Sequence, residues 1–171
     1  MIMNEYNIDE LVIIAIGGNL PGRVGSILDN LESALNHVSS SELMIAKRSS
    51  WWRSKAWPDP TAPDYINGVI IVETALDPFQ VLAKLAAIET QFGRRRSEAN
   101  APRSLDLDLI AHGRIQLQTE ILTLPHPRAN DRLFVMGPLA EIEPNWRCPN
   151  CGLTAARLAS LASIGRDAHP V

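Results

Sequence analysis

The stretch PRSLDLDLI, Pro102 to Ile110, lays two patterns on one short run. Its leucines and isoleucine read as a strand entering a core, and its two aspartates stand two residues apart. Successive strand side chains point to opposite faces, so residues i and i+2 share a face, about 6.6 Å apart at the backbone. Leu105, Leu107 and Leu109 therefore occupy one face, and Asp106 and Asp108 the other. Two carboxylates held side by side at the edge of a core repel each other and resist desolvation, so positive groups are expected close by.

The segments before this strand supply the rest of a small fold. LVIIAIGGN (Leu11 to Asn19) is a continuous apolar run ended by glycines, which reads as a buried first strand. Between Arg23 and Val38, apolar residues fall at Val24, Ile27, Leu28, Leu31, Leu35 and Val38, the spacing of one helix face. ELMIAKRSSWW (Glu42 to Trp52) reads as a second strand. The loop RSKAWPDPTAPD that follows is broken by prolines, which exclude helix and central strand. YINGVIIVET (Tyr65 to Thr74) is a third strand. Asp77-Pro78 then provides an N-cap and a first-turn proline for a helix with Phe79, Leu82, Leu85, Ile88 and Phe92 on one face, closed by Gly93.

The resulting order, β-α-β-β-α-β, predicts a ferredoxin-like α+β fold with helices on one side of an antiparallel sheet. After the aspartate strand, AHGR reads as a tight turn. ILTLPHPRANDRLFVMGPLAEIEPNW reads as a loop running into a short helix, and the tail from Leu153 carries a weak helical pattern. With 171 residues, no internal repeat and no low-complexity linker, the chain reads as one domain, residues 1–171.

Composition narrows the function. The chain is 46% hydrophobic and 20% charged, ordinary for a globular protein. Its net charge of −3 argues against a general nucleic-acid or anionic-membrane binder. The N-terminal residues lack the basic region and apolar core of a secretory signal, and no apolar run reaches the length of a membrane span, so the chain reads as cytoplasmic. Cys148 and Cys151 alone make half a zinc site or a redox pair. With no second ligand pair, they read as two reduced thiols in a tight C-terminal turn.

The candidate positive partners of the aspartates are Arg94, Arg95, Arg96, Arg103, His126, Arg128 and Arg132. Paired carboxylates suit magnesium, which keeps positions for water and phosphate oxygens. Arginine forks grip phosphate bidentately. Together they suggest polyphosphate chemistry. Taken singly, an Asp-x-Asp pair also serves as an exposed strand face, and an arginine run as a solvated loop. There is no Walker loop, and GGNLPG lacks dinucleotide-loop spacing. The segment from Arg94 to Arg103 has no large apolar residue and reads as a lid.

PRSLDLDLI resembles the signature of the 6-hydroxymethyl-7,8-dihydropterin pyrophosphokinase (HPPK) family of folate biosynthesis. AIGGNL, PDYINGVIIVET, IETQFGRRR and LPHPRANDRLFVMGPLAEIEP resemble its other blocks, in the same order, over about residues 11–144. The resemblance implies transfer of the diphosphate of ATP to the pterin hydroxymethyl oxygen, with AMP released. On that pattern Asp106 and Asp108 would bind two Mg2+ ions. Glu89, Arg94, Arg96, Arg103, His126 and Arg132 would contact ATP, with Arg94 and Arg103 catalytic. Ser54, Ala56, Trp57, Tyr65, Asn67 and Phe134 would bind the pterin, Tyr65 and Phe134 as stacking faces. The partners implied are these two small molecules, with no nucleic acid and no membrane, and the chain would act as a monomer.

The chain departs from the family pattern at Gly18, where Ser is usual, in the SKAWPDPTAP loop, and at Asn130-Asp131, where a His-Glu pair is common. A ferredoxin-like RNA-binding module is the rival from another class, and it is disfavoured by the absent aromatic RNA motif and the negative charge.

Overall fold

The computed structural model describes residues 7–23, 25–56, 58–93 and 102–171. Strand β1 (Val12–Gly18) leads to helix α1 (Ile27–Ser40), then strands β2 (Met44–Arg48), β3 (Trp52–Ser54) and β4 (Tyr65–Glu73). Helix α2 (Pro78–Gln91) precedes strand β5 (Asp106–His112), and β6 (Leu117–Gln118) with β7 (Thr123–Leu124) makes a small separate hairpin. Helices α3 (Leu133–Ile142) and α4 (Ala155–Leu161) and strand β8 (His169–Pro170) complete the chain. The main sheet runs β5-β1-β4-β3-β8, with β2 also on β4, and every pairing is antiparallel. This is the ferredoxin-like order expected from the sequence.

Local chemistry explains the helix starts. Ser26 and Asp29 form a reciprocal capping box before α1, and Asp77 and Gln80 form one before α2, with Pro78 in the first turn. Helix α1 buries Leu31, Ala34, Leu35 and Val38, and α2 buries Val81, Leu85 and Ile88. Both stripes pack on the sheet face carrying Val12, Ile14, Ile16, Ile66, Ile70, Leu105, Leu107 and Leu109. At about 1.5–3 kcal/mol per fully buried large aliphatic side chain, this layer is the chief source of stability.

Three expectations are corrected. Helices do not lie on one side only. Helices α3 and α4 pack on the opposite face, where Leu11, Ile13, Val69, Ile71, Ile110, Val135, Met136, Leu139 and Trp146 form a second core. The segment Glu42 to Trp52 is not one strand, because the ladder slips between Ile45 and Lys47 and stops after Arg48 before resuming at Trp52. Phe79, expected on the buried face of α2, is 42% exposed, since it sits in the first turn beyond the packed stripe Val81, Leu85, Ile88.

Strand β5 is a sheet edge, and its outward backbone groups are occupied from elsewhere. The Leu107 N–H donates to Glu89 Oε1 at 2.7 Å, and the Ile110 carbonyl accepts from the His126 N–H at 2.8 Å. These two bonds cover an edge that would otherwise offer a strand-pairing template.

Candidate active site

Helix α3 covers only part of its sheet face, and the remainder is the floor of a cavity of about 400 Å3. That volume falls within the range of small-molecule sites, roughly 300–1,000 Å3. The floor follows from strand register. Gly17 stands opposite Asp106 on one side and Asn67 on the other, and Ala15 stands opposite Asp108. Residues opposed in antiparallel strands share a face, so both aspartates, Asn67 and, two residues earlier, Tyr65 enter one space. Gly17 leaves room on this floor, since a Cβ would collide with the Asn67 amide lying across it and displace that amide. The walls come from Ser54 and Lys55 at the end of β3, and from His126, Pro127, Arg128, Arg132, Phe134 and Val135 before and within α3.

Arg103 bonds Asp106 through Nη1 and Oδ1 at 2.9 Å, with both side chains about a quarter exposed (23% and 29%). The Arg103 backbone is itself held. Its N–H donates to Asn19 Oδ1 at 2.9 Å, and its carbonyl accepts from the Asn19 N–H at 2.9 Å. Asn19 is 1% exposed, and its Nδ2 also reaches the Pro63 carbonyl at 3.2 Å. This clamp was missed in the sequence. The available signal was an Asn directly after a strand-ending Gly-Gly.

Electrostatics favour an anion. Lys55, Arg103, Arg128 and Arg132 face Asp106 and Asp108, which leaves the described lining with two positive charges in excess within a chain of net −3. Burial pushes the Arg132 guanidinium below its ordinary value, Arg128 adds to this, and Asp108 and Asp106 oppose it. An arginine remains charged throughout. Burial also lowers His126, with Arg132 and Arg128 acting in the same direction and Asp106 against. Its Nδ1 accepts from the Arg128 N–H at 3.2 Å, which assigns the proton of the neutral ring to Nε2. Burial raises the Tyr65 phenol, and Asp106 adds to the rise, so Tyr65 stays protonated.

The cavity thus gathers Ser54, Tyr65, Asn67, Arg103, Asp106, Asp108, His126, Arg132 and Phe134 from the sequence-derived set. Ala56 is buried and is not part of the lining. Glu89, expected beside the nucleotide, is 5% exposed and lies against the outer edge of β5 on Leu107, outside the cavity lining. Trp57, Arg94, Arg96 and the expected lid up to residue 101 lie outside the described residues. Arg128, read as a candidate positive partner of the aspartates, lines the cavity, and so does Lys55, for which no site role was read. The thiols of Cys148 and Cys151 are unbridged, and Asn130 Nδ2 lies 3.4 and 3.8 Å from their sulfurs.

No set of three or more His, Cys, Asp or Glu side chains suited to a metal occurs among the described residues. A pair of carboxylates facing an anion-binding wall instead fits magnesium, which takes one or two carboxylates and completes its shell with phosphate and water oxygens. The Asn67 side-chain amide lies over Gly17 and lines the cavity, where it can meet a ligand edge.

Residues 13–144 match the model of the family described as 7,8-dihydro-6-hydroxymethylpterin-pyrophosphokinase (HPPK). A 2-amino-4-hydroxy-6-hydroxymethyldihydropteridine pyrophosphokinase from Synechocystis sp. is 44% identical over 147 residues, spanning 85% of this chain and 73% of its own length. An enzyme of the same name from Haemophilus influenzae is 37% identical over 138 residues, spanning 80% and 84%. Among solved structures, the wild-type HPPK-DHPS of Plasmodium falciparum with SDX-DHP superposes with a TM-score of 0.66 at 14% identity, over 88% of this chain. This chain spans only 43% of that longer one, and the likeness bears on the fold.

Proposed function

The chain belongs to the 7,8-dihydro-6-hydroxymethylpterin pyrophosphokinase family, and we propose that its cavity moves the diphosphate of ATP onto the hydroxymethyl oxygen of 6-hydroxymethyl-7,8-dihydropterin in folate biosynthesis. The observation that carries the reading is the convergence of Asp106, Asp108, three arginines, His126 and Asn67 on one sheet face. The charged groups suit a metal-polyphosphate, and Asn67 with the rings of Tyr65 and Phe134 suits a flat heterocycle.

Asp106 and Asp108 would hold magnesium, which when bound neutralises charge on the phosphate oxygens. Arg103, its backbone held by Asn19 and its guanidinium beside Asp106, would bind an oxygen of the transferred group. Arg128 and Arg132 present guanidiniums from the opposite wall, and His126 donates its Nε2 proton to a phosphate oxygen. The Asn67 amide supplies both a donor and an acceptor to the pterin edge. These contacts align the hydroxymethyl oxygen with the β-phosphorus. A new O–Pβ bond forms, the bond from Pβ to the oxygen bridging the α-phosphorus breaks, the hydroxyl proton is lost to solvent, and AMP departs.

We also propose that the protein acts as a monomer in the cytoplasm.

Chromatography of the nucleotide after incubation with ATP, magnesium and the pterin alcohol tests the reaction. AMP is the expected product, and ADP as the main product would overturn the reading.

A further inference from the structure

The family match ends at residue 144, yet the last nine residues touch both sides of the cavity. On one side, Ser163 and Ile164 are bound to the segment that carries Arg132 and Phe134. Ser163 donates through N and Oγ to the two carboxylate oxygens of Asp131, each at 2.9 Å. The Ile164 N–H donates to the Asp131 carbonyl at 2.9 Å, and the Ile164 carbonyl accepts from the Leu133 N–H at 2.9 Å. Gly165, at φ +69, lies flat on the Phe134 ring, so close that a Cβ would stand 2.5 Å from Phe134 Cδ1.

On the other side, Asp167 Oδ2 accepts from the Lys55 backbone N–H at 2.7 Å. His169 and Pro170 pair with Arg53 and Trp52, and the Val171 N–H donates to the Trp51 carbonyl at 3.0 Å. The tail therefore continues the sheet beyond β3, whose outer edge is otherwise the open end of that path.

Little of this segment serves a core. Ala168 is its one buried residue, and Arg166, Asp167, His169, Pro170 and Val171 are exposed. Hydrogen bonds and ring contact, not apolar burial, hold it.

We propose that residues 163–171 form a strap that fixes the two walls of the substrate cavity relative to each other, with Asp167 and Gly165 as positioning residues. Asp167 acts through the Lys55 backbone to place the edge formed by Ser54 and Lys55. Gly165 acts on the angle and position of the Phe134 ring. On the pterin reading given above, this sets the width of the slot for the flat ring. The Asp167 arm acts away from Arg103, Asn19 and β5 on the phosphate side, whereas the Gly165 arm also neighbours Arg132, whose guanidinium lies 5.7 Å over the Phe134 ring. Its Asp167 arm therefore tunes pterin recognition separately from nucleotide recognition.

The test uses the full chain with Asp167→Ala, Asp167→Asn and Gly165→Ala. Calorimetric titration with 6-hydroxymethyl-7,8-dihydropterin in the presence of a non-hydrolysable ATP analogue should show Asp167→Ala weakened by about 3- to 10-fold, the worth of one hydrogen bond. Asp167→Asn keeps a carbonyl acceptor and should recover most of that loss. Gly165→Ala, strained at positive φ and against the ring, should lose more. Affinity for the ATP analogue alone should stay within about twofold in both Asp167 variants, below the effect of one hydrogen bond.

Hydrogen exchange followed by mass spectrometry provides a readout independent of ligand. In Asp167→Ala, amides 51–56 should exchange faster while the β1 and β5 amides keep their protection. Unchanged exchange at 51–56 would overturn the strap, whatever the ligand does. Faster exchange there with unaltered pterin affinity would overturn its positioning role. A parent protein that binds no pterin would instead refute the functional reading, and the exchange result would still decide the strap.

Discussion

The two faces of one strand show how this chain divides its tasks. Along β5 and the residue before it, Leu105, Leu107 and Leu109 are at most 4% exposed beneath α1 and α2, whereas the alternating Asp106 and Asp108 stand half-buried in the cavity. The covered face is aliphatic and continuous. The other is covered by α3 and α4 over part of its length and left open over the rest, where the floor is Gly17, Ala15 and Asn67. Placing charge on a sheet is costly only if the sheet is covered there. By shortening the second helical layer, the fold keeps two carboxylates beside a core without burying them.

A pair of substitutions on adjacent residues tests that division. Leu107→Ala leaves a cavity under two helices and should reduce stability by about 2–5 kcal/mol, with turnover per folded molecule little changed. Asp108→Asn should reduce kcat/KM by on the order of 10²–10³, about 3–4 kcal/mol of transition-state stabilisation, and alter stability by less than about 1 kcal/mol. Denaturant melts alongside initial rates show both. Equal losses of stability in the two variants would erase the distinction between the faces.

Asn67 sharpens the comparison within the open face. Asn67→Ala should weaken the pterin by about 5- to 150-fold, the cost of an unpaired buried polar edge of about 1–3 kcal/mol. Nucleotide affinity and melting temperature should hold. A fall in melting temperature with unaltered pterin affinity would make Asn67 a structural residue and unite the floor with the core.

The smallest effect concerns His126, whose pKa the fold depresses through burial and the neighbouring Arg132 and Arg128. Just below its unfolded pKa of about 6.5, the unfolded chain holds this proton and the folded chain does not. The unfolded state then binds more protons, so stability falls as pH drops through about 6.5 and levels off below the folded pKa. In His126→Gln this component is absent, so its melting temperature should decline less on acidification than the parent's. Parallel declines would show that His126 is not depressed.

The legible parts of the fold were those written in local period. Strands β1, β4 and β5 announced themselves as apolar runs with alternating or glycine-ended patterns, and Asp77-Pro78 marked the start of α2. The helices of the second layer were read, a short one before Asn145 and a weak pattern after Leu153, but the sheet face they cover was not legible, because α3 is apolar nearly throughout and carries no face signal. Strand β8 has two residues, too few for any period, and its pairing with β3 joins residues more than a hundred positions apart. Within the site, the aspartate pair followed from period two alone. The place of Glu89, outside the cavity, did not, since its burial answers the open N–H of Leu107 across the edge of β5, a need visible only once the sheet order is known.

The central claim is that the open face holds a metal-nucleotide through Asp106 and Asp108. Calorimetric titration of a non-hydrolysable ATP analogue, with and without magnesium, into the parent and into the Asp106→Asn, Asp108→Asn double variant tests it most directly. The account predicts that magnesium strengthens binding to the parent by at least about tenfold, roughly 1.4 kcal/mol, and does little for the variant. An undiminished magnesium effect in the variant would contradict it.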